Sequence, residues 1–158
     1  MSGKIDARLA ELGITLPDAP APAANYVPYV ITGNLVVISG QVPFVDGKLA
    51  VTGVMGDGNV TEEQAINEAR TCAINLLSQL KAACGGDLDR VKRVVKLGGF
   101  VASTADFTMQ PKIVNGASDL MVEVFGDVVG PHARFAVGAS ALPLGCVVEV
   151  EGMFEIEA

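Results

Sequence analysis

The sequence contains no tryptophan, one histidine and three cysteines, and none of its apolar runs is long. A membrane span needs roughly 18 consecutive apolar residues, so the sequence predicts no transmembrane helix. Three cysteines are an odd number, here without the spacing of metal ligands, and they indicate reduced thiols in a cytoplasmic protein. The start "MSGKIDARLAEL" is charged and lacks the apolar centre of a signal peptide, which also favours a cytoplasmic location.

Basic residues are scarce as well. The chain has 11 Lys and Arg against 18 Asp and Glu, a formal net charge of −7 and an isoelectric point near 4.6. Nucleic-acid-binding proteins usually carry a basic patch, so this balance argues against such a partner. The densest basic run, Arg90, Lys92, Arg93 and Lys96, alternates along a predicted strand and indicates a solvated edge.

Motifs for metal and phosphate chemistry are also missing. The sequence has no CxxC pair, no HExxH motif and no P-loop, so we expect no metal site. The single histidine, His132, follows a Gly-Pro pair and has no cysteine or serine partner signal. A role in a turn or at the surface is therefore its simplest interpretation.

What is present indicates a compact chain with many turns. The 158 residues are half apolar and include 18 glycines, a length and composition typical of one domain with a proper core. We therefore predict a single domain over residues 1–158, in which residues 1–21 form an N-terminal helix and a proline-rich extension.

Three segments have helical spacing. Residues 4–12 form a short amphipathic pattern that Gly13 closes. The clearest helix follows Thr61, which with Gln64 makes a possible capping box, and it ends at a pair of glycines, 85–86. Another helix is predicted to begin near Pro111, where the missing N–H costs little.

The remaining patterns are strand-like, and the order of elements predicts an α+β fold. Two main helices should pack on one face of a mostly antiparallel sheet. Because the other face is predicted to be apolar, we expect other copies of the chain to cover it in a homo-oligomer. A hairpin is predicted at "VDGK", 45–48, and Gly98-Gly99 indicates a bulge or a close approach. The predicted strands cover residues 26–31, 35–39, 49–52, 91–103, 133–140 and 146–157.

The end of the chain, residues 130–158, combines a regular strand pattern with an isolated charge. From 147 onward apolar residues alternate with glutamates, as in a strand with one packed face. Arg134 begins an apolar strand just upstream. A guanidinium fits a carboxylate, so Arg134 could bind the carboxylate of a ligand. It could instead make a structural ion pair with Glu149, which a hairpin-like pairing with the next predicted strand could bring close. Pattern alone leaves both alternatives open.

Three stretches resemble the RidA/YjgF family, also described as L-PSP endoribonuclease-like. "NLVVISGQVP" (34–43) is similar to the family's strand and "SGQ.P" block, and "PHARFAVGASALPLGCVVEVE" is similar to its C-terminal signature. "EARTCAINLLSQLKAACGGDLDRVKRVVK" resembles the family's helix and the strand that follows. Together the resemblance covers roughly residues 22–157.

The resemblance implies a chorismate-mutase-like α+β fold assembled as a homotrimer, with sites in the clefts between subunits. It implies a 2-iminobutanoate/2-iminopropanoate deaminase-like hydrolase that converts reactive enamines and imines, such as 2-aminoacrylate, to 2-keto acids and ammonia without a cofactor. Arg134 would bind the substrate carboxylate and Glu149 would help to position water. The substrate-binding residues that it implies are Tyr26, Ser39, Gly40, Asn115 and Ala136.

The sequence also departs from compact family members. Phe135 stands where deaminases usually have a small polar residue, the stretch 104–115 is longer, and the helix before residue 15 is additional. These features resemble a longer branch of the family. Two alternatives to imine hydrolysis remain: a non-catalytic binder of small carboxylates or keto acids, and the endoribonuclease activity of the family description, which the acidic charge disfavours.

Overall fold

The computed structural model describes residues 3–22 and 24–158, in which helices and strands form two layers. The helices are α1 (Lys4–Glu11), α2 (Glu62–Ala83) and α3 (Gln110–Val129). The strands are β1 (Tyr29–Thr32), β2 (Leu35–Gln41), β3 (Phe44–Val45), β4 (Lys48–Leu49), β5 (Val91–Ala102), β6 (Ala133–Ala139) and β7 (Val148–Ile156).

The helices begin where the sequence predicts. At the start of α2 the Gln64 backbone N–H donates to Thr61 Oγ1 (3.1 Å), and the Thr61 N–H donates back to Gln64 Oε1 (2.9 Å). This confirms the capping box, which satisfies two backbone donors that a helix start leaves free. Pro111 occupies the first turn of α3. Among the described residues, no helix has the length and hydropathy to cross a membrane.

The first strands form hairpins, with two corrections to the predicted bounds. Asp46 and Gly47 have φ angles of 51° and 73° in the β3–β4 turn, which confirms the Asp-Gly hairpin. The first strand begins at Tyr29 rather than at 26, because Pro28 has no N–H to give to a sheet. The predicted strand 49–52 is wrong beyond residue 49, since the chain bends away and Thr52 makes only an isolated bridge to Cys146.

The main sheet has the order β1-β2-β7-β5-β6, and every pair is antiparallel except β5 with β6. A hairpin-like pairing of the last two strands is therefore wrong, because β5 lies between them. The reason is that α3 connects β5 to β6 and returns the chain to the same end of the sheet. Such a strand–helix–strand crossover makes the two strands parallel neighbours.

The core lies between the sheet and the helices α2 and α3. Val114 of α3 packs directly over Gly99, where any side chain would collide with it. The register between β5 and β7 is continuous at Gly98 and Gly99, so these glycines mark a close approach rather than a bulge. Fully buried large side chains of this core are Ile38, Leu76, Leu77, Leu80, Leu97, Ile113, Leu120, Met121 and Phe154.

The other face of the sheet carries exposed apolar side chains, and no helix of residues 3–22 and 24–158 covers it. Val30, Val37 and Val137 are 51%, 38% and 43% exposed. Phe135 extends onto this face and meets Phe100 edge-on, with the ring centroids 5.2 Å apart. Apolar side chains from four strands thus form one surface on the described part of the chain, which we call the open face.

Glu68 is an unusual buried acid on α2 and leads to a prediction about stability. The residue is 6% exposed, and its Oε2 atom has no hydrogen-bond partner among the described residues. Burial raises the pKa of this carboxyl. Because an unpartnered buried polar group costs about 1–3 kcal/mol, we expect Glu68→Met to raise the free energy of unfolding at pH 7 by a similar amount in urea titrations.

The pH dependence of that gain provides the check. A carboxyl with a raised folded-state pKa destabilises the fold when ionised, and the penalty vanishes once the pH falls below the ordinary value of 4.5. The advantage of Glu68→Met should therefore shrink between pH 7 and about pH 4. An advantage of equal size at both pH values would contradict this explanation.

Candidate active site

A small cavity lies where β7 begins. Its volume is about 160 Å³, whereas pockets for drug-sized ligands are typically about 300–1,000 Å³. It could therefore hold only a small molecule. The cavity is lined by Pro20, Ala21, Pro22, Tyr26, Pro28, Gly40, Gln41, Val42, Phe44, Asn75, Gln79, Pro143, Leu144 and Glu149.

Glu149 provides the acid of this cavity, and Gly40 makes room for it. The carboxylate approaches Gly40 so closely that a Cβ atom at that position would collide with it. The pKa of the Glu149 carboxyl is raised, first by burial and then by the negative charge of Glu151. Both causes disfavour the ionised form, so this carboxyl binds a proton more tightly than an ordinary glutamate does.

Tyr26 and Ser39 differ in how they relate to the cavity. Tyr26 lines it from a bend just before β1 and is about half exposed. Ser39 does not line it, because its hydroxyl donates to the Val27 carbonyl (2.8 Å) while its N–H donates to the Pro28 carbonyl (2.9 Å). Ser39 therefore fixes the segment that carries Tyr26.

Arg134 lies elsewhere, at the edge strand β6, and its side chain extends towards α3. One guanidinium nitrogen donates to Ser118 Oγ (3.1 Å) and the other to the Pro111 carbonyl (3.1 Å). These bonds use two of the five N–H donors of an arginine. The remaining donors keep the fork geometry that suits a carboxylate.

His132 supports this arrangement. Its Nδ1 atom lies 2.7 Å from the Gly130 carbonyl, so Nδ1 carries the proton and donates. Its Nε2 atom lies 2.9 Å from Ser118 Oγ, which in the neutral ring accepts the hydroxyl proton of Ser118. The oxygen of Ser118 is then oriented to accept from Arg134. The histidine is thus hydrogen-bonded inside a turn, as its position in the sequence indicates.

The two alternatives for Arg134 differ in whether it has an acidic partner. Five salt bridges join other residues, and none involves Arg134, so within residues 3–22 and 24–158 no carboxylate pairs with it. Asn115 lies between Pro111 and Ser118 at helical spacing, which places it on the same side of α3, and it is exposed. Ala136 follows on β6, partly buried against the core.

The predicted site residues therefore form two clusters that do not meet within one chain. Arg134 pairs with Leu97 of β5, and Glu149 pairs with Phe100 of β5 from the opposite side. The two residues are thus two strands apart, about 9.5 Å, and offset along the strands by about 10 Å. A cross-strand ion pair between them is excluded by this geometry.

Phe135 also takes a different place from the one its sequence position indicates. Successive residues of a strand point to opposite faces, so Phe135 lies on the open face while Arg134 faces α3. Its ring also contacts Lys96, whose Nζ atom is 5.4 Å from the ring centroid. Phe135 therefore does not shape the surroundings of Arg134 in its own chain.

Two buried amides of α2 were missed by sequence reasoning. Asn75 donates from Nδ2 to the carbonyls of Val42 (3.0 Å) and Phe44 (3.1 Å), and Gln79 donates from Nε2 to the Pro20 carbonyl (2.9 Å). Both line the cavity. The signal was present in the sequence, since two amides spaced i, i+4 interrupt the apolar side of a helix.

The cysteines do not provide a nucleophile. All three are buried and free. Burial is the main cause that raises the pKa of Cys146 to about 11, and the neighbouring Glu149 raises it further. Burial also raises the pKa of Cys72. Both side chains therefore stay protonated at neutral pH, whereas a nucleophilic cysteine reacts as the thiolate.

Comparison with known proteins shows which family the chain resembles. A family model described as "YjgF/chorismate_mutase-like, putative endoribonuclease" matches residues 6–156. Protein TCP17 of Trypanosoma cruzi is 53% identical over 98% of this chain and 96% of its own length. A 2-iminobutanoate/2-iminopropanoate deaminase of Dermatophagoides farinae is 31% identical over 91% of this chain and 95% of its own.

A solved structure extends the similarity to the fold. The crystal structure of an Agrobacterium tumefaciens protein of unknown function has a TM-score of 0.89 and 49% identity, and the match covers 97% of this chain and 92% of that one. Since the family model spans nearly the whole chain, the protein belongs to the YjgF/chorismate-mutase-like family, which confirms the RidA/YjgF resemblance of its sequence.

Proposed function

We propose that the protein hydrolyses reactive imines and enamines of the 2-aminoacrylate type to 2-keto acids and ammonia. The observation that carries this proposal is Arg134, a half-buried arginine held by Ser118 and Pro111 and paired with no described carboxylate. A guanidinium fixed in this way is prepared to bind the carboxylate of a small ligand. The deaminase name of the mite relative supports the same reaction.

We propose further that the site is assembled between copies of the chain, in a homotrimer. The open face supports this, because contiguous exposed apolar surface in a soluble domain usually marks an interface. The separation of Arg134 from Glu149 supports it as well. In a closed ring each subunit presents its β6 edge to the next one, so that Arg134 of one copy could face Glu149 of another.

Hydrolysis of an imine needs few catalytic groups from the protein. The imine carbon beside a carboxylate is already electrophilic, so orientation and a positioned water supply most of what is needed. Arg134 holds the carboxylate, and Glu149 accepts a proton from the attacking water. Glu149 returns this proton to the imine nitrogen, which completes a carbinolamine. The carbinolamine hydroxyl then gives up its proton to the nitrogen, the C–N bond breaks, and ammonia leaves the 2-keto acid. The reaction consumes one water molecule for each imine.

The free thiols support a reducing compartment, and we propose the cytoplasm as the location. None of the three cysteines forms a disulfide, whereas proteins of oxidising compartments commonly form them. In that setting a reactive imine released by another enzyme is a hazard to remove, and a small cavity suits a molecule of that size.

The direct experiment generates imines in solution with an amino-acid oxidase and follows the release of ammonia and keto acid. The proposal expects the protein to accelerate release. No acceleration, combined with a raised melting temperature in 2-ketobutyrate, would replace catalysis with carboxylate binding. Neither effect, combined with cleavage of added RNA, would instead favour the endoribonuclease activity in the family description.

A further inference from the structure

Residues 20–22, the end of the proline-rich segment 16–22, form one wall of the Glu149 cavity. Pro20, Ala21 and Pro22 all line it. These three side chains are apolar and nearly rigid, because proline fixes its own backbone φ angle and alanine has no rotamers. The wall can therefore neither donate a hydrogen bond from its side chains nor move aside through side-chain rotation.

The segment is held in place by the body of the protein. Gln79, which is 2% exposed, donates from Nε2 to the Pro20 carbonyl at 2.9 Å. Helix α1, which precedes the segment in the chain, is held to α2 by an ion pair between Asp6 and Lys81 at 2.8 Å. The carboxylate of Asp89 accepts from the first backbone N–H groups of α1, at 2.8 Å each. The segment is thus anchored both at the cavity and through the helix that precedes it.

We propose that residues 20–22 set the size of substrate that the site accepts, with Gln79 as the positioning residue that holds them. The inference rests on the proposed function. A cavity of about 160 Å³ beside a fixed apolar wall admits imino acids with short aliphatic side chains and excludes aromatic ones. The specificity-determining element is therefore the N-terminal extension, not the strands that carry Arg134 and Glu149.

Two substitutions test the role of the wall, one by loosening it and the other by narrowing the cavity. Gln79→Met keeps the length of the side chain and removes the donor to Pro20, so the wall should loosen. Ala21→Leu adds bulk at an exposed position of the wall, so the cavity should narrow. The measurement is the ratio of kcat/KM for the imine of 2-aminobutyrate to that for the imine of phenylalanine.

A difference of one or a few methylene groups in an apolar pocket changes selectivity by about 10-fold or more. We therefore expect Gln79→Met to lower the ratio about 10-fold through better acceptance of the aromatic imine. Ala21→Leu should raise the ratio, because a narrower cavity excludes the larger aromatic imine more strongly. The matched control is Pro17→Ala, which lies in the same segment but outside the cavity, and its ratio should equal that of the wild type.

Failure of this inference can be told from failure of the proposed function. Unchanged ratios in folded Gln79→Met and Ala21→Leu, with imine hydrolysis present, would overturn the inference alone. If the wild type shows no turnover, the same ratio is taken from dissociation constants of 2-ketobutyrate and phenylpyruvate. Should Gln79→Met fail to fold, Ala21→Leu decides the matter, since it changes an exposed residue.

Discussion

Arg134→Ala is expected to reduce kcat/KM for imine hydrolysis by about 10²–10⁴-fold while the protein stays folded. The reason is that hydrogen bonds to charged groups contribute about 1.5–3 kcal/mol each, and a bidentate carboxylate makes two of them. Near 25 °C each 1.4 kcal/mol corresponds to a factor of ten in rate. The loss should appear in the same imine assay and as loss of 2-ketobutyrate binding in calorimetry.

Two further variants show whether geometry or charge is responsible. Arg134→Lys keeps the charge but not the planar fork, so it should recover only part of the activity. Arg93→Ala removes the same charge from an exposed arginine whose side chain, within the described residues, donates only to the Val128 carbonyl, and it should stay within about twofold of the wild type. Full activity in Arg134→Ala would contradict the assignment.

Glu149→Gln is expected to lower kcat by about 10²–10³-fold and to leave 2-ketobutyrate binding nearly unchanged. An amide keeps the shape of the carboxyl but cannot accept the proton of water, and general-base catalysis contributes about 10²–10⁴-fold. The contrast between kcat and binding separates Glu149 from Arg134, whose loss should weaken both. Equal loss of binding in Glu149→Gln would assign it to ligand binding instead.

The pH profile adds a second test of Glu149. Because burial and Glu151 raise the pKa of this carboxyl, wild-type activity should fall as the pH drops through a midpoint above the ordinary value of 4.5. Protonation removes the base below that midpoint. Glu151→Gln removes the second cause of the shift, so it should move the midpoint to lower pH. A midpoint unchanged by that substitution would contradict the coupling.

Local signals in the sequence predicted most elements of the fold. The Thr61–Gln64 capping box, the Asp46-Gly47 turn and Pro111 each specify backbone geometry through their own side chains, so no tertiary contact is needed to interpret them. The bounds of the short strands were less predictable. Whether residues 50–52 join a sheet depends on which strand lies beside them, and periodicity alone contains no such information.

The pairing of the last strands was wrong for a reason that lies in the topology. The connection "ALPLG" between β6 and β7 is short enough for a hairpin, yet the chain uses it to pass to the other side of β5. The strand–helix–strand order of β5, α3 and β6 already indicated a parallel pair. The strand–helix–strand crossover was thus a better predictor of which strands pair than the short length of the loop.

The resemblance of the sequence proposed which residues belong to the candidate site, and their roles stay a prediction, but it could not predict how they are arranged in space. Tyr26, Gly40 and Glu149 share one cavity, whereas Arg134 lies with Ser118 and Asn115 at the other cluster. The resemblance supplied the residue types, but the faces on which they lie depend on strand order and pleat. For the same reason Phe135, adjacent to Arg134 in sequence, lies on the opposite face of the sheet.

Subunit complementation tests the central claim most directly, namely that Arg134 of one copy and Glu149 of another complete each site. Arg134→Ala and Glu149→Gln chains would be co-expressed with different tags, and mixed oligomers isolated by both tags. Each single variant should be nearly inactive. In the proposed closed trimer, every mixed ring has one junction at which an intact Arg134 faces an intact Glu149, whichever variant supplies two of the chains. Activity should therefore return to about a third of the wild-type value. Mixed oligomers that remain as inactive as the single variants, although folded and assembled, would contradict a site shared between copies.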